Sequence, residues 1–425
     1  MNGFLGKVRG VNCELQGEGD RLTYDALVLD ARLRQSLMTV RSLGRRGLRV
    51  AAVGTSDSAP TFSSRWCRQS FVFPTDEGAE EYYSYLEQLL DRIRVGVLIA
   101  STDATIALIR RHREQLERRV RIALAEEPAL AIAINKERTL EVARRLGLRI
   151  PRAVSVGSVS EVGAAVRAVG LPAVVKPVES WAWNEQEGKR LERKLVSTLD
   201  EARDAVEELT HFGGTTLFQE FLSGRRESIS FLYARGQIYA RCAQWHTRIV
   251  GGQSSMRQSI GIQPEIGNQA ERLVREIELE GCSQVEFRYD NAENPYLMEI
   301  NSRLWSSTEL AVRSGVDFPH LLYQWASGEE IDVVKGYRVG RRLRYLKGDI
   351  VYTVRTLAAV GQSNRLERAS PAKTVLDFCF SFFIPTAYDY VDWKDPLPAC
   401  RAMAGFVRDV LRRMGKGLSM IVRKV

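Results

Sequence analysis

Gln284-Val-Glu-Phe-Arg-Tyr-Asp-Asn-Ala-Glu-Asn-Pro-Tyr-Leu-Met-Glu-Ile-Asn-Ser-Arg303 is the stretch on which the reading of the whole chain turns. Period-two alternation predicts a hairpin with Val285, Phe287 and Tyr289 on one face of its first strand and Tyr296, Met298 and Ile300 on the same face of its second. If Asp290 pairs with Pro295 across the turn, Glu286 lies opposite Glu299 and Gln284 opposite Asn301. Carboxylates at directly paired positions have Cβ atoms about 5 Å apart, which destabilises a sheet unless a cation or a shared proton relieves it. Two carboxylates and an adjacent amide are hard oxygen ligands of the kind Mg²⁺ takes, one or two at a time, together with substrate phosphates. A solvated polar face is the ordinary reading of a Glu pair, but it accounts for neither Asn301 nor Arg303.

That reading asks for phosphate-binding lysines, and the sequence supplies two. Lys176 lies in the apolar strand Leu171-Pro-Ala-Val-Val-Lys-Pro177, where a lysine is costly unless an anion compensates it. Lys136 follows the N-cap Asn135, at the positive end of a helix dipole, where a bound anion reverses an unfavourable placement. Each lysine alone reads equally well as a snorkelling strand residue or a solvated helix end; beside the acidic hairpin they form a set.

Working outward, Ala26 to Asp30 reads as a buried strand, Leu33 to Leu43 as a helix and Leu48 to Val53 as a strand, a β-α-β unit after a polar leader. A further strand at Val95 to Ala100 leads through Ser101-Thr102-Asp103 into a helix reaching about Arg118, so a parallel, doubly wound lobe is expected. No glycine fingerprint follows Asp30, and no dinucleotide is expected there. The helix after Asn135 ends at Gly147. Strands are expected at 153–156, 172–177 and 216–221, helices at 200–209, 270–280 and 304–313, and a β-rich run at 227–244. Trp181 to Arg193 is read as a mobile loop between strands. Val375 to Ile384 is read as a buried strand or helix, too short for the roughly 18 apolar residues of a membrane span.

The order of these elements resembles that of the ATP-grasp superfamily. Leu217-Phe-Gln-Glu-Phe-Leu222 with Gly224 and Glu227 is similar to the linker between the two nucleotide lobes. The resemblance implies that Gln219, Glu220, Phe221 and Leu222 hold adenine and that Glu227 meets the ribose hydroxyls. It also implies that Glu286, Glu299 and Asn301 bind metal, and that Asn301 and Arg303 are catalytic. Asp103-Ala-Thr, Gly251-Gly-Gln-Ser-Ser-Met-Arg-Gln-Ser-Ile260, Ser302-Arg-Leu-Trp-Ser-Ser307 and Ser314-Gly-Val-Asp-Phe-Pro319 resemble a bacterial group of predicted carboxylate-amine ligases. That group is related to D-aspartate ligase, carbamoyl phosphate synthetase and biotin carboxylase.

The implied fold is α/β and α+β: an N-terminal Rossmann-like lobe (1–125), a small ATP-grasp lobe (126–215), a large lobe carrying the hairpin (216–330) and a basic C-terminal region (331–425). The implied activity is ATP-dependent joining of a carboxylate to an amine through an acyl phosphate. ATP and Mg²⁺, or Mn²⁺, are the expected cofactors, with Lys136 and Lys176 on the phosphates. A biotin- or carbamoyl-type carboxylating enzyme and a catalytically weak ATP-binding protein are the alternatives. Asp103, His246, Gly252, Ser254 and Arg257 are candidate substrate contacts, with helix capping the rival role for Asp103 and ordinary packing for His246. The loop after Lys176 departs from the glycine-rich pattern of many relatives, holding only Gly188 between Trp181 and Arg190.

Composition bounds the rest. With 425 residues, 44% hydrophobic and 27% charged, the chain is expected to form several lobes rather than a disordered or repeat protein. Six widely spaced cysteines with no CxxC pair predict reduced thiols and a cytoplasmic setting, and the N-terminus shows no secretory core. The net charge is +9, and residues 398–425 hold seven Lys or Arg against one Asp. Within that tail Met403, Phe406, Val407, Val410, Leu411 and Met414 form one helix face, expected to dock on the enzyme. Neither a nucleic-acid partner nor a membrane span is expected; a homodimer is allowed for.

Overall fold

The structure is a computed structural model, and it describes residues 22–73, 78–183, 188–211, 214–250, 253–358 and 370–422. The polar leader with Cys13, residues 184–187, the Gly251-Gly252 pair, residues 423–425 and the Met414 side chain lie outside these.

The N-terminal lobe comprises β1 (Thr23–Val28), α1 (Arg34–Arg45), β2 (Val50–Gly54), β3 (Cys67–Val72), α2 (Ala79–Arg92), β4 (Arg94–Ile99), α3 (Asp103–Arg111), α4 (Arg113–Glu117) and β5 (Arg121–Ile122). Its strands pair in parallel in the order β3-β2-β1-β4-β5, the doubly wound arrangement expected. The central strands are apolar on both faces because helices cover both, as a parallel sheet requires. The predicted helix to Arg118 is broken at His112, and its cap is Thr102, which exchanges hydrogen bonds with Thr105; Asp103 is the first helical residue. Capping is thus Thr102's role, which leaves Asp103 free to reach outward.

Helices α5 (Ala129–Ile134) and α6 (Lys136–Arg145) lead to the small lobe. There β6 (Ala153–Val156), α7 (Val162–Val169), β7 (Ala173–Pro177), β8 (Trp181–Trp183), β9 (Gly188–Arg190), β10 (Lys194–Val196), α8 (Leu199–Thr210) and β11 (Thr216–Glu220) follow. The antiparallel sheet runs β10-β7-β11-β6, so β11 pairs within it between β7 and β6. The segment read as a loop from Trp181 is instead a separate β8-β9 hairpin, with Trp181 opposite Arg190. Gly188 has no Cβ, and one there would lie 2.4 Å from the Trp181 ring, so a side chain at this position requires that ring to shift.

The large lobe is a seven-stranded sheet, β16-β15-β12-β13-β14-β17-β18. Its members are β12 (Arg226–Ala234), β13 (Gln237–Val250), β14 (Gln253–Ile260), β15 (Gly281–Tyr289), β16 (Pro295–Asn301), β17 (Arg342–Arg344) and β18 (Ala387–Tyr388). Around it pack α9 (Pro264–Glu276), α10 (Thr308–Ser314), α11 (Phe318–Ser327), α12 (Leu346–Ala358), α13 (Pro371–Phe380) and α14 (Leu397–Val422). Phe231, Phe287 and Phe318 are fully buried in this lobe, each worth about 1.5–3 kcal/mol against exposure.

The C-terminal region is strapped back onto α1. Arg41 donates to Asp395 at 2.8 Å, and Arg34 donates to Asp389 at 2.9 Å. Residues 375–384 form the helix end and turn, but Val375, Leu376, Phe380 and Phe383 are exposed rather than buried. The tail helix also differs from expectation: Met403, Val407, Val410 and Leu411 face solvent, while Phe406 lies near the Lys347 ammonium. Among the described residues, no helix is long and apolar enough to cross a membrane, and Cys67, Cys242, Cys282, Cys379 and Cys400 are free thiols.

Candidate active site

The acidic hairpin pairs Glu286 with Glu299 and Gln284 with Asn301, by a route different from the one expected. Tyr289, not Asp290, pairs with Pro295, and a bulge at Met298 restores the register one residue on. Consequently Leu297 joins Phe287 in the core, while Tyr296 lies opposite Arg288; Ile300 stays with Val285. The bulge makes strands that begin out of step bring both carboxylates to one face.

That face is polar across three strands. Asn301 Nδ2 donates to Glu286 Oε1 at 3.1 Å. Arg226, on β12, donates from Nε to Glu286 Oε2 at 3.0 Å and makes a second contact with the same oxygen through Nη2. Ser228 Oγ and His246 Nε2 are 2.8 Å apart, and Gln244 donates to both Ser228 and Ser307. Burial raises the Glu286 carboxyl despite Arg226. Burial also opposes ionisation of Glu299, yet Lys136 and Lys176 hold it below the usual carboxylate range.

The two lysines converge from other elements. Asn135 caps α6, accepting from Arg138 N at 3.0 Å, which fixes Lys136 as the first helical residue; its Nζ donates to Ser180 Oγ at 3.0 Å. Lys176 reaches from β7 to the carbonyl of Met298 at 3.4 Å. Both are buried, and burial lowers both pKa values, that of Lys176 to about 7. From the third side Arg303 Nε donates to Asp103 Oδ1 at 2.8 Å, joining the hairpin to the start of α3. The pair favours both charges: Arg303 is raised against burial, and Asp103 is lowered against burial.

Beside these groups lies the linker. Gln219 is fully buried, and its Oε1 has no hydrogen-bond partner among the described residues. Glu220 pairs with Arg152 at 2.8 Å, Phe221 lies 5.2 Å from the Arg288 guanidinium, and Leu222 is buried. Glu227 accepts from the Tyr289 hydroxyl at 2.8 Å and pairs with Arg225 at 2.9 Å. Gly224 N donates to Tyr289 O, and the close approach leaves no room for a side chain there: a Cβ would lie 2.3 Å from that oxygen.

Of the candidate substrate contacts among the described residues, Asp103 alone joins this cluster directly. His246 abuts the polar face through Ser228, and burial, with Arg226 and Arg257 nearby, pushes it well below the usual imidazole value. Ser254 Oγ is spent on the carbonyls of Thr247 and Met256 in the β13-β14 pair, and the buried Arg257 pairs with Asp389 of the C-terminal strap. Gly252 lies outside the described residues. Sequence reasoning missed Arg226 and Tyr289 as partners of Glu286 and Glu227. Alternation along 226–234 puts Arg226 on the Ser228 face, and the three-strand register then aims it at Glu286.

Two paired carboxylates and an amide suit a hard divalent cation completed by phosphate oxygens. Among the described residues, no group of three or more His, Cys, Asp or Glu forms a self-sufficient metal cage. Desolvated lysines and the orphaned Gln219 oxygen fit an anionic, hydrogen-bonding ligand lying between the lobes.

Comparison with known proteins agrees with this geometry. Residues 214–348 match a family model described as ATP-grasp in the biosynthetic pathway with Ter operon. A D-alanine–D-alanine ligase of Chromohalobacter salexigens is 23% identical over 209 residues, 46% of this chain and 64% of that protein. The chain thus spans just under two thirds of the length of the curated relatives it matches. The biotin carboxylase domain of Hydrogenobacter thermophilus 2-oxoglutarate carboxylase, solved with MgADP, ADP and bicarbonate, superposes with a TM-score of 0.61 at 14% identity, covering 75% of this chain and 73% of that one. The L-amino acid ligase of Bacillus licheniformis superposes at 0.56 with 17% identity, covering 71% and 74%. Lobe order and hairpin give this chain the fold of these ATP-grasp enzymes, and residues 214–348 carry the match to the ATP-grasp family model.

Proposed function

We propose that the chain is an ATP-dependent ligase joining a carboxylate to an amine through an acyl phosphate. The carrying observation is the convergence of Glu286, Glu299 and Asn301 with Lys136, Lys176 and Arg303 from separate elements. The relatives named as D-alanine–D-alanine ligase and L-amino acid ligase support the same reaction class.

In this reading Gln219 to Leu222 hold the base, Glu227 meets the ribose, and Lys136 and Lys176 bind phosphate oxygens. Glu286, Glu299 and Asn301 would hold Mg²⁺, or Mn²⁺, which supplies charge neutralisation between carboxylates and phosphates when bound. The substrate carboxylate oxygen attacks the terminal phosphorus and the bond to ADP breaks. Arg303, held by Asp103, stabilises charge developing on the transferred group. The amine nitrogen then attacks the acyl carbon, phosphate leaves, and the nitrogen gives up a proton. The β8-β9 hairpin, beside Lys136, shields that acyl phosphate from water. Substrates are small molecules; a cytoplasmic location, a homodimer and lobe boundaries near residues 125, 220 and 330 belong to the same proposal.

The test is phosphate and ADP release across a panel of carboxylates with and without amines, with hydroxylamine added to trap an acyl phosphate as hydroxamate. Hydroxamate that requires both ATP and one carboxylate supports the proposal. ADP release that requires bicarbonate alone supports a carboxylating enzyme instead, and nucleotide binding with no turnover on any pair defeats both.

A further inference from the structure

The N-terminal sheet ends in a cavity of about 570 Å³. Its walls come from the strand ends, with Asp30 after β1, Thr55 after β2, Phe73 after β3 and Thr102 after β4, and from Tyr82 and Leu108 on the flanking helices. Trp181 of the β8-β9 hairpin closes one side. The strand order places the cavity where connections from β1 and β4 diverge, the usual crevice of a doubly wound sheet, and its size is that of a small-molecule site.

Two of its walls differ in chemistry, and the Arg32 side chain also lines the cavity, a cation able to face the carboxylate of a bound amino acid. One is aromatic: the Phe73 and Tyr82 rings meet edge to face at 5.1 Å, and Trp181 lies beyond them. The other is the Asp30 carboxylate, held in the left-handed region at φ 59°. Its Oδ2 accepts from Ser101 N and Thr105 Oγ1, both at 2.9 Å, whereas Oδ1 accepts from Thr102 Oγ1 at 3.3 Å. The Thr102 backbone amide also bonds to this carboxylate, so an ammonium group would share an oxygen with these donors. The donors are neutral, and burial raises the Asp30 carboxyl above its ordinary value. The residue after Thr102 is Asp103, the partner of Arg303, so the cavity adjoins the proposed site of phosphoryl transfer.

We infer that this cavity holds the carboxylate substrate as an amino acid, its ammonium group against Asp30 and an apolar or aromatic side chain against Phe73, Tyr82 and Trp181. The inference rests on the ligase reading and names the class of one substrate. A nitrogen kept as ammonium has no lone pair for attack, so the bound molecule reacts through its carboxylate, directed toward Arg303. The amine of the second substrate then attacks from outside the cavity.

Calorimetry in the presence of MgADP tests this without turnover, using both enantiomers of phenylalanine, 3-phenylpropionate (which lacks the ammonium group) and glycine (which lacks the side chain). One phenylalanine enantiomer is expected to bind at least tenfold tighter than 3-phenylpropionate and glycine. Asp30→Asn should reduce phenylalanine to the level of 3-phenylpropionate, and Ala79→Trp, which fills the cavity from the start of α2, should weaken both aromatic ligands while MgADP affinity is unchanged. Equal binding of phenylalanine and 3-phenylpropionate by the unaltered protein, or MgADP binding with no aromatic ligand bound, overturns the inference. Failure to bind MgADP at all overturns the ligase reading itself.

Discussion

Arg303 and Asp103 form an ion pair at 2.8 Å across 200 residues of sequence, tying the acidic hairpin to the first turn of α3. The pair holds a guanidinium fork at the place where phosphoryl transfer is proposed. Arg303→Lys keeps the charge and loses the fork, so kcat should fall on the order of 10²-fold while the apparent KM for ATP moves little. Asp103→Asn keeps a hydrogen-bond acceptor without the charge and should cost about tenfold, again in kcat. Single-turnover rates and nucleotide affinities on both variants check this; an Arg303→Lys protein with normal chemistry and poor ATP affinity would reassign Arg303 to phosphate anchoring.

Glu299 faces both lysines and the paired Glu286, so its charge is central to the metal proposal. Glu299→Gln preserves size and hydrogen bonding, and Mg²⁺-dependent turnover should collapse with little change in Tm. Near-normal activity at low Mg²⁺ would remove Glu299 from the metal set.

Lys176 carries the pH prediction. Burial lowers its pKa to about 7, so above neutrality the free protein increasingly holds it as a neutral amine. A phosphate beside it favours the charged form and raises that pKa. Binding ADP must then take up a proton, and ADP affinity should fall as pH rises from 7 to 9. Calorimetry at pH 8 in buffers of different ionisation enthalpy measures the uptake. Lys176→Arg, charged throughout, should abolish most of it, and an unchanged proton count in that variant would assign the linkage elsewhere.

The linker proposed to hold adenine meets the hairpin at Gly224, where a Cβ would lie 2.3 Å from the Tyr289 carbonyl oxygen. Neither backbone atom sits on a flexible side chain, so Gly224→Ala must move the linker away from β15. The expected result is an apparent KM for ATP raised about tenfold or more, with kcat affected less. An unaltered KM would mean that this junction does not set the position of the nucleotide.

What the sequence made legible was set by the range of the interactions involved. The Asn135 cap and the parallel strands around β1 are local signals, and both stand as read. The Glu286–Glu299 pairing was legible from alternation, although the turn register differed by one residue, because alternation does not locate the bulge at Met298 that compensates. Arg226 required the register of two neighbouring strands together, information that no single segment carries. The β8-β9 hairpin was hidden because Trp181, Trp183 and Gly188 form strands too short for periodicity to show. The tail helix showed its apolar face plainly, but a pattern does not say whether that face finds a partner, and Leu411 and Val407 face solvent.

Arg226 supplies the last prediction. In the nucleotide-free protein it compensates Glu286, which burial and the neighbouring Glu299 would otherwise make costly to ionise. Removing one partner of a buried pair typically costs about 3–5 kcal/mol because the other charge is left without a partner. Arg226→Gln should therefore lower the unfolding free energy by about that amount in EDTA, provided Glu286 stays ionised; any protonation of Glu286 reduces the loss. Bound cation on Glu286 and Glu299 supplies the missing positive charge, so millimolar Mg²⁺ with ADP should restore more stability to the variant than it adds to the unaltered protein. Denaturant unfolding of both proteins, with and without Mg²⁺ and ADP, gives the four values needed. Equal stabilisation of the two by Mg²⁺ and ADP would show that Arg226 and the cation do not share Glu286, and would place the metal away from that carboxylate.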